Sequence, residues 1–204
     1  MLKILGRTTS INVRKVLWTC DEIGLAHDHV EWGLAGLSLG SREFLALNPN
    51  AVVPVVDDEG FILLESNTIC RYLAAKHGRV DLLPNLPLPR ARVEQWMDWQ
   101  ATDLNNACRY AFLALVRKRE THRDASAIEA SAFQWNRLMA ILDQALQDGR
   151  PYVTGPDFTV ADIVLGLSTH RWLSTPIDRP ELPAVSNYHQ TLSSRPAFRK
   201  VSLP

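Results

Sequence analysis

Apolar positions follow two different rhythms along the chain, and the change between them divides it. Leu2 to Leu5 reads as a short strand. Val13, Val16, Leu17, Cys20 and Ile23 then recur at helical spacing, with Gly24 as a natural C-terminal stop. Residues 27–32 read as a second strand, and 41–47 as a short helix contacting the core through Phe44 and Leu45. Two apolar runs, 53–56 and 61–64, are joined by Asp57-Asp58-Glu59-Gly60, the pattern of a β-hairpin. Ser66 is placed to cap a helix that turns Ile69, Tyr72 and Leu73 inward and ends at Gly78. The predicted order is βαβ, a short helix, ββ, then α.

Pro84, Pro87 and Pro89 follow, and prolines at that density predict a stiff extended segment. The expected organisation is a first domain over 1–78, a linker over 79–89 and a second domain over 90–204. No strand is predicted past the linker. Val93, Trp96, Met97, Gln100, Leu104 and Ala107 keep a helical period, as do Ile128, Ala132, Trp135, Met139, Leu142 and Leu146. A third helix starts at Thr159-Val160-Ala161-Asp162 and runs to about Leu173, and the tail from Pro183 holds one or two short helices. There is no internal repeat.

Composition narrows the function classes. The 204 residues carry 22 Lys and Arg against 22 Asp and Glu, so the basic excess usual in nucleic-acid binding is absent. No apolar run reaches the ~18 residues of a membrane span. Residues 1–6 are too short and too quickly polar for a signal peptide. Cys20, Cys70 and Cys108 are widely spaced, which argues against a disulfide framework or a cysteine zinc site. A cytoplasmic protein with reduced thiols is the expectation. His27 and His29 share one strand face, but without further converging ligands no metal is expected. Trp96 and Trp99, three apart on a helix, read as packing residues.

Four segments carry candidate chemistry. Residues 6–15 join a strand to a helix and cluster Thr8, Thr9, Ser10 and Asn12 where free helix N–H groups point outward, a setting that stabilises an anion. Lys3, Arg7, Arg14 and Lys15 stand in the first 20 residues without an acid. A plain helix cap would use the same hydroxyls. Residues 48–56 place Pro54 at the head of an apolar run, where a Val53–Pro54 bond is a candidate for the cis form and the Val53 backbone is open to an extended peptide. An ordinary edge strand is the alternative. Glu65-Ser66 at a helix start suits a ligand with both an ammonium and a carboxylate, and equally a simple cap. Thr159 with Asp162 reads as a capping box, and Phe158 with Ile163 as its hydrophobic staple, a structural device.

Together these motifs resemble the cytosolic glutathione transferases, over essentially the whole chain. Asn48-Pro49 followed by Val53-Pro54 resembles the family's N-P-x-x-x-V-P segment. Glu65-Ser66 resembles the pair that holds the γ-glutamyl end of glutathione. The segment 158–162 resembles the capping motif of the family's buried helix. Ser10, two residues before Asn12, resembles the catalytic serine site of bacterial, theta- or nu-like classes.

The resemblance implies an α/β thioredoxin-like N-terminal domain, an all-α C-terminal domain and a homodimer. Glutathione is the implied cosubstrate, without a metal. Ser10 and Asn12 become the catalytic pair. Glutathione would be held by Ser10, Asn12, Val53, Pro54, Glu65 and Ser66, and a small electrophile would lie between the domains. No cysteine or tyrosine stands beside Ser10, unlike the cysteine- and tyrosine-based classes. Ala51 and Val52 occupy places where relatives carry a ligand for the glycine carboxylate, and Arg42 is the replacement considered. Asn106, Arg109 and Tyr110 are the electrophile-site candidates. Glutathione-dependent disulfide reduction and a non-catalytic interaction module are the other readings the resemblance leaves open.

Overall fold

A computed structural model describes residues 1–34 and 37–202. The chain forms two compact units, one from Met1 to Asn85 joined by the C-terminal helix, the other from Leu86 to Arg195.

The first unit is built on a four-stranded mixed sheet in the order β2-β1-β3-β4. β1 (Leu2–Leu5) pairs parallel with β2 (His27–Val30) and antiparallel with β3 (Val55–Asp58), which pairs antiparallel with β4 (Phe61–Leu63). Helix α1 (Ile11–Ile23) makes the β1-to-β2 crossover and ends at Gly24, whose φ of 75° needs a residue without Cβ strain. The β3–β4 connection is tighter than the four residues read from sequence. Asp57 and Asp58 stay in the strand, and Glu59-Gly60, both at positive φ, make the two-residue turn whose twist matches a hairpin.

Helix α2 (Arg42–Leu47) is capped by Ser41 Oγ, which accepts the Phe44 N–H at 3.2 Å. Helix α3 (Ser66–Lys76) begins one residue earlier than expected. Glu65 takes the N-cap position at φ 67°, so Ser66 is the first helical residue and not the cap. Asp58 ties β3 to α3 by accepting from the Tyr72 hydroxyl and the Lys76 ammonium. Ile4, Val13, Val16, Phe44, Val55, Ile69 and Leu73 fill the core at 0% exposure.

The second unit is all-α. Helix α4 (Pro87–Trp99) starts inside the proline-rich segment that the sequence presents as extended. A first-turn N–H has no intrahelical partner, so Pro87 and Pro89 sacrifice no hydrogen bond there. A π-helical turn (Gln100–Leu104) leads into α5 (Asn105–Leu115). Helices α6 (Ala125–Ala145), α7 (Val160–Ser174) and α8 (Pro183–Ser193) complete the unit. Beyond the sheet, the described residues hold only an isolated bridge between Tyr152 and Gly155.

Helix α7 is buried on every side, with 160–169 all in the core, as an apolar helix must be. At its start the Asp162 carboxylate accepts from the Thr159 N–H and hydroxyl, the Val153 N–H and the Tyr188 hydroxyl, at 2.8–3.0 Å. Burial still pushes its pKa up to about 6. Helix α8 has no capping side chain of its own. Asp143 of α6 supplies one, accepting the Val185 N–H at 2.9 Å. The last helix, α9 (Pro196–Val201), packs on α1 in the first unit, with Phe198 against Trp18 at 4.9 Å between centroids.

Candidate functional site

Three segments of the first unit converge, and each junction has a named contact. The register Leu5↔Val55 places Gly6 beside the 53–54 bend. A Cβ added at Gly6 would lie 2.9 Å from Val53 Cβ and 2.6 Å from Val13 Cγ2, so only glycine permits this approach. Gly6 is further held by its N–H to Val30 O at 2.9 Å, and His29 Nε2 sits 2.7 Å from its carbonyl. The second junction is Lys15 Nζ donating to Asn67 Oδ1 at 3.0 Å, between α1 and the first turn of α3. Lys15 is buried, its stem packed inside and its charge spent on the far helix.

At the first segment Ser10 is the N-cap residue of α1, with extended backbone and no side-chain capping bond. The residue is half-buried. Asn12 follows in the first helical turn, also half-buried. The neighbouring hydroxyls differ. Thr8 Oγ1 donates to Glu31 at 2.7 Å, and Thr9 is exposed on the turn before the helix. Arg14 Nε donates to the Thr8 carbonyl and holds that turn against the helix. The first turn of α1 contains no acid and no side-chain cap, which leaves the positive end of the helix dipole at Ser10.

The second segment is organised by Asn48, buried at the end of α2. Its side-chain NH2 donates to Val52 O at 2.7 Å and its Oδ1 accepts the Asn50 N–H at 3.0 Å. The Val53–Pro54 bond is cis, as the sequence motif suggests. Val53 lies beyond the end of the β1–β3 ladder, so its backbone is outside the sheet.

At the third segment, Glu65 is exposed and Ser66 is buried at the N-terminus of α3. With no capping side chain, the first N–H groups of α3 also face outward. Two helix N-termini without side-chain caps, on helices joined by the Lys15–Asn67 hydrogen bond, make a candidate cradle for negative charge.

The other sequence candidates fall elsewhere. Arg42 is exposed on the first turn of α2. Arg109 lines a cleft within the helical unit, Tyr110 packs on His122 with the rings tilted and 4.7 Å apart, and Asn106 is exposed on α5. His27 Nδ1 lies 3.0 Å from the Leu25 carbonyl, so both histidines of that strand are tied to backbone. Trp96 and Trp99 form an edge-on pair at 5.2 Å. No cluster of three metal-ligating side chains occurs among the described residues, and no helix among them is long and apolar enough to cross a membrane. Sequence reasoning counts Lys15 only among the basic residues of the first segment and assigns Gly6 and Asn67 no role of their own. Gly6 at a strand-to-helix junction was the signal available, whereas Lys15 and Asn67 are 52 residues apart and meet only in the fold.

The thiols of the first unit are inert. Burial pushes the Cys20 thiol up to about 12 and Cys70 up to about 11, so neither is a thiolate at neutral pH.

A thioredoxin-like sheet with this cradle, followed by an all-α unit, defines the glutathione transferase class of fold. Models of the N-terminal and C-terminal domains of glutathione S-transferase match residues 5–81 and 104–196, and the chain belongs to the glutathione S-transferase family. It is 38% identical to glutathione S-transferase GstB of Escherichia coli K12, over 98% of this chain and 97% of that one. It is 30% identical to the disulfide-bond oxidoreductase YfcG of the same organism, over 76% of this chain and 73% of that one. The theta-class glutathione S-transferase of Xanthomonas axonopodis pv. citri, solved with glutathione bound, superposes with a TM-score of 0.92 at 39% identity, over 100% of this chain and 97% of that one.

Proposed function

We propose that this chain binds reduced glutathione in its N-terminal unit and activates the thiol for attack on a small electrophile. The observation that carries this reading is the Ser10 hydroxyl, set at the N-terminus of α1 and not used to cap it. A free thiol has a pKa of about 8.5, and the thiolate is the nucleophile. Lowering that pKa by about two units takes ~2.7 kcal/mol of selective stabilisation. A hydrogen bond to a charged acceptor supplies about 1.5–3 kcal/mol. A helix N-terminus adds up to ~2 kcal/mol where partly buried. Ser10 donating to the thiolate, oriented by Asn12, therefore suffices without a base or a metal.

In this reading the thiol proton leaves to solvent, the sulfur bonds the electrophilic carbon, and the leaving group departs with its electron pair. The Val53 backbone, beside Pro54, pairs with the cysteinyl part of glutathione. Ser66 and the open N–H groups of α3 take the γ-glutamyl carboxylate, and Glu65 takes its ammonium. Arg42 is the candidate for the glycine carboxylate. Asn106, Arg109 and Tyr110 are the candidates on the electrophile side. Exposed Val52 and Phe61, about half accessible, support a homodimer. A cytoplasmic location fits the three reduced, buried cysteines.

A second reading, glutathione-dependent disulfide reduction, is favoured by the likeness to the oxidoreductase and by a site without a reactive cysteine. There a glutathione thiolate attacks the disulfide and a second glutathione resolves the mixed disulfide, leaving oxidised glutathione. Turnover of a chlorinated nitroaromatic compared with that of a small disulfide decides between the two. Absence of glutathione binding by calorimetry would overturn both and leave the interaction-module reading.

A further inference from the structure

The helical unit contains an open cleft of about 460 Å³ between α5, the loop that follows it and α7. Its charge lining is one-sided. Arg109, Arg119 and Arg171 line it, and no aspartate or glutamate does, although the chain as a whole is neutral. The apolar part of the wall is Phe112 and Leu113. We infer that this cleft binds a small aromatic acid, with guanidinium groups on its carboxylate and Phe112 against its ring.

The geometry suits that chemistry in three respects. The volume lies in the range of small-molecule sites, about 300–1,000 Å³. Phe112 is held in place by Arg171, whose guanidinium stacks 4.2 Å from the ring centroid, so the aromatic wall and one positive charge are fixed together. The loop carrying Arg119 is pinned to the end of α5, with the Arg119 N–H donating to Leu113 O and the His122 N–H to Arg119 O, both at 3.0 Å. His122 in turn packs on Tyr110, the two rings tilted at 45°. Guanidinium groups bind carboxylates through paired, charge-assisted hydrogen bonds, and an apolar floor that sheds water strengthens them. Gathering like charges in a cleft lined by no acid costs free energy, and an incoming anion relieves it.

This inference rests on the transferase reading only for the use of the site, as the place of an acidic electrophile. Binding itself is tested without glutathione. Calorimetry would compare 3-nitrobenzoate with 3-nitrobenzamide, which share size and ring but differ in charge. The expected result is at least tenfold tighter binding of the acid, weakened by raising NaCl from 0.05 to 0.5 M. The double variant Arg109→Gln, Arg119→Gln should bring the two ligands within threefold. Arg123→Gln, on the same loop but paired with Glu120, should keep the preference. Equal affinities in the wild-type protein would overturn the inference, as would an acid preference intact in the folded double variant. Should the double variant fail to fold by circular dichroism, the wild-type comparison and its salt dependence decide alone. Glutathione turnover without acid preference would sink only this inference, and acid binding without glutathione turnover only the transferase reading.

Discussion

Gly6 and Val53 approach each other so closely that residue 6 has no room for a side chain. A Cβ at Gly6 would stand 2.9 Å from Val53 Cβ, and its φ of 149° is one that L-residues rarely adopt. Gly6→Ala is therefore expected to lose about 2–4 kcal/mol of stability, combining backbone strain with overpacking. Glutathione affinity should fall with it, because Val53 can yield only by moving the bend at Pro54. Urea denaturation and calorimetry on the same samples test both. A variant with unchanged midpoint and affinity would show that the contact is soft.

Ser10→Ala should raise the pKa of bound glutathione by at least one unit, about 1.4 kcal/mol of lost thiolate stabilisation. Thr9→Ala should leave it in place. Titrating the thiolate absorbance reads this directly. If Thr9→Ala or Asn12→Ala moves the titration and Ser10→Ala does not, Ser10 is not the donor.

Ser66→Ala separates binding from folding. Because Glu65 occupies the cap position, removing the Ser66 hydroxyl does not remove a helix cap. Glutathione binding should weaken by about 1.5–3 kcal/mol, the scale of a hydrogen bond to a charged group. Thermal stability should change by no more than about 0.5 kcal/mol. A large drop in stability with unchanged affinity would assign Ser66 to the fold instead of the ligand.

A half-buried histidine and a buried aspartate should pull stability in opposite directions between about pH 4 and 6. His189 faces His170 at 3.3 Å, and burial, with that neighbour, lowers its pKa to about 4. Between there and the unfolded value of about 6.5 the unfolded chain binds more protons, so this group removes stability as pH falls. Asp162 does the reverse. Its folded pKa of about 6 lies above the unfolded value, so its contribution grows as pH falls through that range. His189→Gln abolishes the first effect and keeps the second. The variant should gain stability relative to wild type as pH drops from 7 to 4, measured by denaturation at each pH. A constant difference across that range would contradict the assignment.

The sequence revealed what is encoded by neighbours. β1 was legible residue for residue, and the pairing of Thr159 with Asp162 is a three-residue offset that any reader of helix starts can see. The proline segment misled because the rule against proline in helices weakens in the first turn, where Pro87 and Pro89 lie. Ser66 lies one place from its expected position because Glu65 takes the N-cap at a positive φ, which local propensity does not register. The trans-acting cap at α8 was missed for distance, since Asp143 and Val185 are 42 residues apart. Its trace was nonetheless present, as a lone acid beside Leu138, Met139 and Leu142 on the buried face of α6.

The attachment of α9 to α1 makes the N-terminal unit discontinuous in sequence. Trp18 is fully buried, with Phe198 packed against it, and Lys200 pairs with Asp21 at 3.2 Å. During synthesis the ribosome must deliver the whole stretch from Leu86 to Arg195 before residues 196–201 can reach α1. A nascent thioredoxin-like unit thus lacks Phe198 beside Trp18 until the helical unit has been translated.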